Sequence, residues 1–168
     1  MTDPNTGAAG ATAATGGAVE QHLTFVLAGE LFAIPILSVQ EIRGWEAVSR
    51  IPQSPDHVLG VINLRGAVVP VLDLRTRLSI ERVDKTSTTV VIVVRISAPS
   101  GAQATVGLVV DAVSDVVNID TAHVNPAPAV CGSVDTHFLH GLSSIEDRLV
   151  MLLDLTRLID EHSLAAAA

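Results

Sequence analysis

The apolar positions of the chain fall in short runs, mostly of Val, Ile and Leu, that are separated by Gly, Pro, Asn or Asp. Runs of this length and composition are typical of β-strands. Three pairs of runs predict hairpins, at 23–28 with 31–35, 60–64 with 67–74, and 89–96 with 104–110. A further strand is predicted at 149–153, and short helical turns at 74–78 and 155–159. Because proline cannot donate to a ladder, Pro70 is expected at a sheet edge or a bulge.

The sequence also contains an internal repeat. A shift of 81 places Gly60, Asp73 and Leu74 on Gly141, Asp154 and Leu155, and a shift of 74 places the pattern of 32–42 on 106–116. This repeat predicts a structural duplication, with two similar small β-barrels at roughly 23–78 and 88–159. Since each barrel alone has a thin core, the two are expected to pack together through a shared apolar seam.

The two ends of the chain differ from the rest. Residues 1–19 are mostly Ala, Gly and Thr, which bury too little surface to offset the entropy of ordering, so a disordered tail is predicted. Residues 163–168 end in four alanines and predict a frayed terminus. One folded domain is therefore expected at 20–162.

The charge balance excludes several classes of partner. The chain has 10 Lys+Arg against 18 Asp+Glu, and Lys85 is its single lysine. An acidic chain without a basic run is a poor ligand for nucleic acid or anionic lipid. No apolar run approaches the roughly 20 residues of a spanning helix, so no membrane insertion is expected. The absence of a secretory signal and the single Cys131 predict a cytoplasmic location.

Candidate chemistry is sparse. Cys131, His137 and His140, with His123 and Asp135 nearby, form the one grouping that could ligate zinc or pair a thiolate with a base. Its spacing lacks the tight pairs of structural zinc sites, so an ordinary loop is the preferred interpretation. In strand geometry Asp111 and Asp115 would share a face about 13 Å apart, too far for an acid–base pair, so they are interpreted as a polar stripe. No catalytic residue, metal or cofactor is predicted.

Two side chains have both a structural and a functional interpretation. Arg65 lies at the tip of a predicted hairpin with apolar arms, where it is either a solvated turn residue or an anchor beside an apolar strip. Trp45, the single tryptophan, is either a core residue or an interface anchor.

Several ordered motifs resemble the CheW family of bacterial chemotaxis coupling proteins. They are V39-Q-E-I-R-G-W, R50-I-P-Q-S-P-D, G60-V-I-N-L-R-G, T89-V-V-I-V-V, V106-G-L-V-V-D and V124-N-P-A-P, within a match over about 21–162. The resemblance implies an all-β fold of two five-stranded SH3-like barrels around a common hydrophobic core. It also implies a non-catalytic adaptor. The loop at 97–103 is longer than the family's usual connection.

The resemblance further implies partners and site residues. Family members join the cytoplasmic signalling tip of methyl-accepting chemoreceptors to the regulatory domain of a CheA-type histidine kinase, in membrane-associated arrays held by protein contacts. The partner-binding residues carried over to this chain are Val39, Glu41, Ile42, Arg65, Val90, Gly107, Val113 and Val116. The alternative is an adaptor of the same fold in a chemotaxis-like pathway with another output, such as twitching motility or gene regulation. A hypothesis from a different class is a small-molecule binding barrel or minor enzyme that uses the loop with Cys131, His137 and His140.

Overall fold

The computed structural model describes residues 18–97, 100–128 and 134–159. Cys131, most of the predicted N-terminal tail and the predicted terminus 163–168 lie outside the described residues. The strands are β1 (Val19–Leu27), β2 (Glu30–Pro35), β3 (Val39–Gly44), β4 (Val58–Leu64), β5 (Ala67–Asp73), β6 (Val90–Ser97), β7 (Gln103–Val110), β8 (Ala112–Asp120), β9 (Leu139–Ile145) and β10 (Arg148–Leu153). Two single-turn helices, α1 (Leu74–Arg77) and α2 (Leu155–Leu158), follow β5 and β10. Short 3₁₀ turns occur at Ile36–Ser38, Thr121–His123 and Thr136–Phe138.

The strands form two sheets of five. Barrel 1 has the order β8-β1-β2-β10-β9, and barrel 2 has the order β3-β6-β7-β5-β4. β2 pairs in parallel with β10, and β5 pairs in parallel with β7, whereas the other pairs are antiparallel. The predicted class, all-β with two five-stranded SH3-like units and short helical turns, is confirmed.

The strand orders explain the sequence repeat and correct its boundaries. Overlaying β1–β5 on β6–β10 gives the same order in both sheets. Each barrel, however, combines a hairpin from one half of the chain with three strands from the other half, so neither 23–78 nor 88–159 is a barrel. The apolar pattern marks which segments are strands, but it does not specify which sheet a strand joins.

One apolar cluster lies between the sheets and takes residues from both. Phe25 and Ile34 of barrel 1 pack there with Ile92 and Leu108 of barrel 2, and all four are fully buried. We call this cluster the shared core, and it confirms the predicted common core. Each barrel also has a smaller inner cluster, with Ala33 and Val150 in barrel 1 and Val71, Val91 and Val93 in barrel 2.

Pro70 lies in the interior of a sheet, so its predicted place at an edge or bulge is wrong. β5 has neighbours on both sides, β7 and β4. The parallel ladder with β7 begins only at Val71. On the other side Pro70 is opposite Val61, whose backbone N–H and C=O are both used by Ser49, at 2.9 and 3.0 Å. The missing N–H of Pro70 therefore leaves no ladder bond unmade.

Asp111 ties the two barrels at the point where the chain changes sheet. It is the single residue between β7 of barrel 2 and β8 of barrel 1. Its carboxylate accepts two hydrogen bonds from Arg75, with Nε to Oδ1 at 2.9 Å, and a third from the Ala28 N–H at 2.9 Å. Arg75 belongs to α1 after β5, whereas Ala28 follows β1. The carboxylate thus connects the two sheets.

The electrostatics of this pair favour its charged form. Partial burial opposes the ionisation of Asp111, but the hydrogen bonds from Arg75 and Ala28 outweigh it, and the pKa of Asp111 lies below its usual value. The hydrogen bond to Asp111 outweighs the desolvation of Arg75, and the pKa of Arg75 is raised.

Two glycines at equivalent positions allow close backbone crossings. Gly60 has a φ of +155°, and a Cβ there would lie 2.3 Å from the Ser49 carbonyl oxygen. A Cβ at Gly141 would lie 2.7 Å from the Asn125 carbonyl oxygen. Ser49 and Asn125 each pair with the residue after the glycine as an isolated bridge. Only glycine fits such an approach.

Gly60→Ala and Gly141→Ala are therefore each expected to lower the free energy of unfolding by about 2–4 kcal/mol, measured by urea denaturation. The control is Gly44→Ala, since nothing lies within 4 Å of a Cβ at Gly44. A loss at Gly44 as large as that at Gly60 would contradict the steric explanation.

Asp111→Asn is expected to lower the free energy of unfolding by about 2–3 kcal/mol at pH 7, because a charged acceptor of three hydrogen bonds is lost. The pKa of Asp111 is lower in the folded state than its unfolded-state pKa near 3.9. The ionised carboxylate therefore stabilises the fold above the unfolded-state pKa, and this stabilisation is lost as pH falls through the folded-state pKa. The difference between wild type and variant should therefore shrink below about pH 4. Urea denaturation at pH 7, 5 and 3 tests this, with exposed Asp84→Asn as the control. A difference that stays constant with pH would refute the role of the charge.

Candidate partner-binding site

A bulge in β3 directs Val39 and Ile42 to the same face. Residues three apart in a regular strand point to opposite faces. The register of β3 on β6 shifts between Val39 and Glu41, so that Val39 lies opposite Val94 and Ile42 opposite Ile92. Both of these partners belong to the shared core. Val39 is half-buried against that core, whereas Ile42 remains 44% exposed at the strand edge.

β8 repeats this arrangement in barrel 1. Val113 lies opposite Phe25 and Val116 opposite Leu23, with a register shift between the two pairs. Phe25 and Leu23 are members of the shared core. Val113 packs against the core, and Val116 is 45% exposed. The two bulged strands are edge strands of different barrels.

A buried hydroxyl closes the bulge in β8. Thr24 Oγ1 donates to the Asp115 carbonyl oxygen and accepts from the Asp115 N–H, both at 3.0 Å. Thr24 is 3% exposed, and the Asp115 backbone satisfies its hydroxyl as both donor and acceptor. These two hydrogen bonds hold the bulge in a defined conformation.

The structure brings five of the predicted site residues to the border of the shared core. Val90, the first residue of β6, also packs against that core from a half-buried position. We call the set Val39, Ile42, Val90, Val113 and Val116 the apolar border. It combines half-buried side chains that fix its position with exposed side chains that are available for contact.

The charged residues of the predicted site lie on another face. Glu41 is opposite Val93, a member of the inner cluster of barrel 2, and so points away from Ile42. Arg65 Nη2 donates to Glu41 Oε2 at 2.8 Å. Arg43 Nη1 approaches the other oxygen of Glu41 at 3.6 Å. The Arg65–Glu41 pair joins β3, at one edge of the sheet, to the β4–β5 turn at the other edge.

Arg65 is presented by a two-residue hairpin turn, as predicted. Arg65 and Gly66 have φ values of +54° and +87°, the left-handed geometry of a tight hairpin turn. The Gly66 N–H donates to Asn63 Oδ1 at 2.9 Å, which holds the turn. The Arg65 side chain is 81% exposed, whereas that of Glu41 is 22% exposed. An exposed pair of this kind contributes about 0.2–1 kcal/mol, so Arg65 can exchange Glu41 for another acceptor at little cost.

Gly107 does not lie at a surface. It is buried in β7, and a Cβ there would lie 2.7 Å from Val91 Cγ1, inside the inner cluster of barrel 2. The structure therefore gives Gly107 a packing role. Gly107 therefore has no exposed surface through which to contact a partner.

The other candidate residues have structural contacts. His123 Nδ1 lies 3.1 Å from Asp120 Oδ2, and Asp135 Oδ1 accepts from the His137 N–H at 3.0 Å. Among the described residues no three ligand-type side chains are grouped closely enough for a metal ion, and Cys131 lies outside those residues. Asp111 is paired with Arg75 rather than with Asp115.

Trp45 fits its structural interpretation. Its ring is half-buried against the inner cluster of barrel 2, and Lys85 Nζ lies 5.0 Å from the ring centroid. The Trp45 N–H donates to the Thr89 carbonyl oxygen at 3.2 Å. The single tryptophan thus attaches the connection between the halves to the end of β3.

Two exposed apolar side chains were not predicted as surface residues. Val68 and Leu149 are 58% and 50% exposed and occupy equivalent positions near the starts of β5 and β10. The shift of 81 relates the two positions to each other, but the repeat carries no signal for their exposure. No helix within the described ranges is both long and apolar enough to cross a membrane.

Comparison with known proteins gives consistent matches over the same region. The family model of the CheW-like domain matches residues 21–163. Chemotaxis protein CheW from Klebsiella aerogenes is 39% identical over 146 residues, which cover 87% of this chain and 85% of that protein. Probable chemotaxis protein CheW from Rhizobium etli is 37% identical over 145 residues, covering 86% and 90%.

A solved structure shares the fold. The crystal structure of the scaffolding protein TtCheW from Thermoanaerobacter tengcongensis superimposes with a TM-score of 0.75 at 31% sequence identity. The match covers 87% of this chain and 91% of that chain. Sequence and structure therefore point to the same relatives.

Proposed function

Because the chain belongs to the CheW-like domain family of chemotaxis proteins, we propose that it is a non-catalytic adaptor. It couples the cytoplasmic signalling tips of methyl-accepting chemoreceptors to the regulatory domain of a CheA-type histidine kinase. The observation that supports this proposal most directly is the apolar border, where Ile42 and Val116 are 44% and 45% exposed beside the shared core.

The apolar border suits the receptor partner. An amphipathic helix binds by laying its apolar stripe against exposed apolar side chains. Ile42 and Val116 offer such a surface, and Val39, Val90 and Val113 hold it on the packed core. Contiguous exposed apolar patches commonly mark protein interfaces. In this proposal the apolar border receives the receptor helix.

Arg65 and Glu41 supply a charged contact on a separate face, which carries the β4–β5 turn. The guanidinium is mostly exposed and is held by one carboxylate. Complementary charges at an interface set the orientation of a partner and its rate of association more than its affinity. Arg65 therefore orients the partner that reaches the β4–β5 turn.

The proposed location is the cytoplasmic side of the membrane, where the chain is held in receptor arrays by protein contacts. The net charge of −8 supports attachment through proteins rather than through anionic lipid. The names of the curated relatives support chemotaxis as the output. The proposed role requires no cofactor, since receptor control of the kinase passes through binding geometry.

Ile42→Asp and Val116→Asp should each weaken binding of a receptor signalling-tip fragment by at least about tenfold, because each buries a charge in an apolar contact. Isothermal titration calorimetry measures the affinity. The matched control is Val83→Asp, which changes another exposed valine in the connection between the halves. Equal affinities for all three variants and wild type would refute the receptor site.

Arg65→Glu should reduce recovery of the kinase or the receptors in a quantitative pull-down of the tagged chain from its own cells, because the charge at the contact is reversed. The fold should stay intact, since a turn side chain that is 81% exposed supports little of the core. Mass spectrometry gives the recovery, circular dichroism checks folding, and Arg95→Glu is the control. Normal recovery, or unfolding of the variant, would contradict the role of Arg65.

A further inference from the structure

The two chain crossings between β2 and β3 and between β7 and β8 connect the barrels in different ways. The first is the 3₁₀ turn Ile36–Ser38, none of whose residues is buried and whose Leu37 is 94% exposed. The second is Asp111 alone, whose carboxylate accepts from the Arg75 side chain next to barrel 2 and from the Ala28 backbone N–H next to barrel 1. The stronger directional contacts are therefore at Asp111.

The contacts of Asp111 reach elements of both barrels. Its backbone N–H donates to the Val26 carbonyl oxygen at 3.1 Å, and its carboxylate accepts from Ala28 on the barrel 1 side. On the barrel 2 side, Arg75 binds the carboxylate through Nε and Nη2. Arg75 Nη1 also donates to the Glu81 carbonyl oxygen at 2.9 Å, which anchors the start of the connection between the halves.

Such a pair constrains orientation in a way that the shared core does not. The hydrophobic driving force is non-directional, so it favours contact between the two sheets without itself selecting one angle between them. Two parallel N–H···O bonds between a guanidinium and a carboxylate fix both distance and angle. With side-chain exposures of 13% for Arg75 and 29% for Asp111, the pair is also shielded from most competing water.

The apolar border depends on this orientation. Its β3 side, with Val39 and Ile42, belongs to barrel 2, and its β8 side, with Val113 and Val116, belongs to barrel 1. Asp111 directly precedes β8, two residues before Val113. A rotation of the barrels at Asp111 therefore changes the spacing between the two sides of the border.

We infer that the Arg75–Asp111 pair is a positioning interaction that sets the angle between the two barrels and thereby the geometry of the apolar border. The effect on partner binding rests on the proposed function, whereas the effect on the orientation of the barrels does not. Neither residue touches the partner; each acts through the placement of β8.

Residual dipolar couplings of the full ¹⁵N-labelled chain test the orientation. The couplings measured for wild type and for the control Asp84→Asn should be fitted by one alignment frame that is common to both barrels. In Asp111→Asn each barrel should fit its own wild-type geometry, but the two barrels should require different frames. Arg75→Lys keeps the charge without the two parallel bonds and should show a smaller change, which preserves the test if Asp111→Asn unfolds.

Affinity for the receptor fragment, measured on the same samples, separates positioning from stability. We expect a loss of about tenfold for Asp111→Asn and a smaller loss for Arg75→Lys, under conditions where each variant is fully folded. One common frame for Asp111→Asn, or separate frames with unchanged affinity, would overturn the inference. If wild type itself does not bind the fragment, the proposed function fails, while the couplings still decide whether the pair orients the barrels.

Discussion

The exchange of hairpins between the two halves of the chain is the constraint on which the rest of the structure depends. Neither β1–β5 nor β6–β10 can complete a sheet, because each hairpin has its parallel neighbour in the other half. The shared core fills the space that this exchange creates. The barrels are consequently parts of one cooperative unit, although each has an inner cluster of its own.

The exchange also determines where a partner surface can form. It leaves β3 and β8 as edge strands of different barrels, and a bulge in each directs two apolar side chains toward the shared core. Unpaired strand edges are otherwise a liability in a protein, since they invite non-specific pairing. Here the bulges, Arg43 and Asp115 interrupt the edges with twist and charge.

The hairpins and helical turns could be predicted because Gly and Asp mark their ends, as at Gly66 and Asp73. The apolar pattern does not predict β3, β8 and β9. Each lies at a sheet edge, and polar residues such as Gln40 and Ser114 interrupt the apolar pattern there. The Arg75–Asp111 pair spans 36 residues, and local pattern carries no information on such contacts. The family resemblance predicted the apolar site residues. That Val39 and Ile42 share a face, as do Val113 and Val116, follows from the bulges, which the sequence pattern does not show.

The parallel pairing of β2 with β10 has a consequence for how the chain is made. β2 leaves the ribosome early, but its neighbour β10 is the last strand of the described chain. Until β10 emerges, barrel 1 is open along β2, and the apolar side chains Phe32 and Ile34 have no complete cover. Contacts so distant in sequence close late in folding. A nascent chain therefore carries β2 with one edge unpaired until β10 has been made, and an unpaired edge is open to non-native pairing.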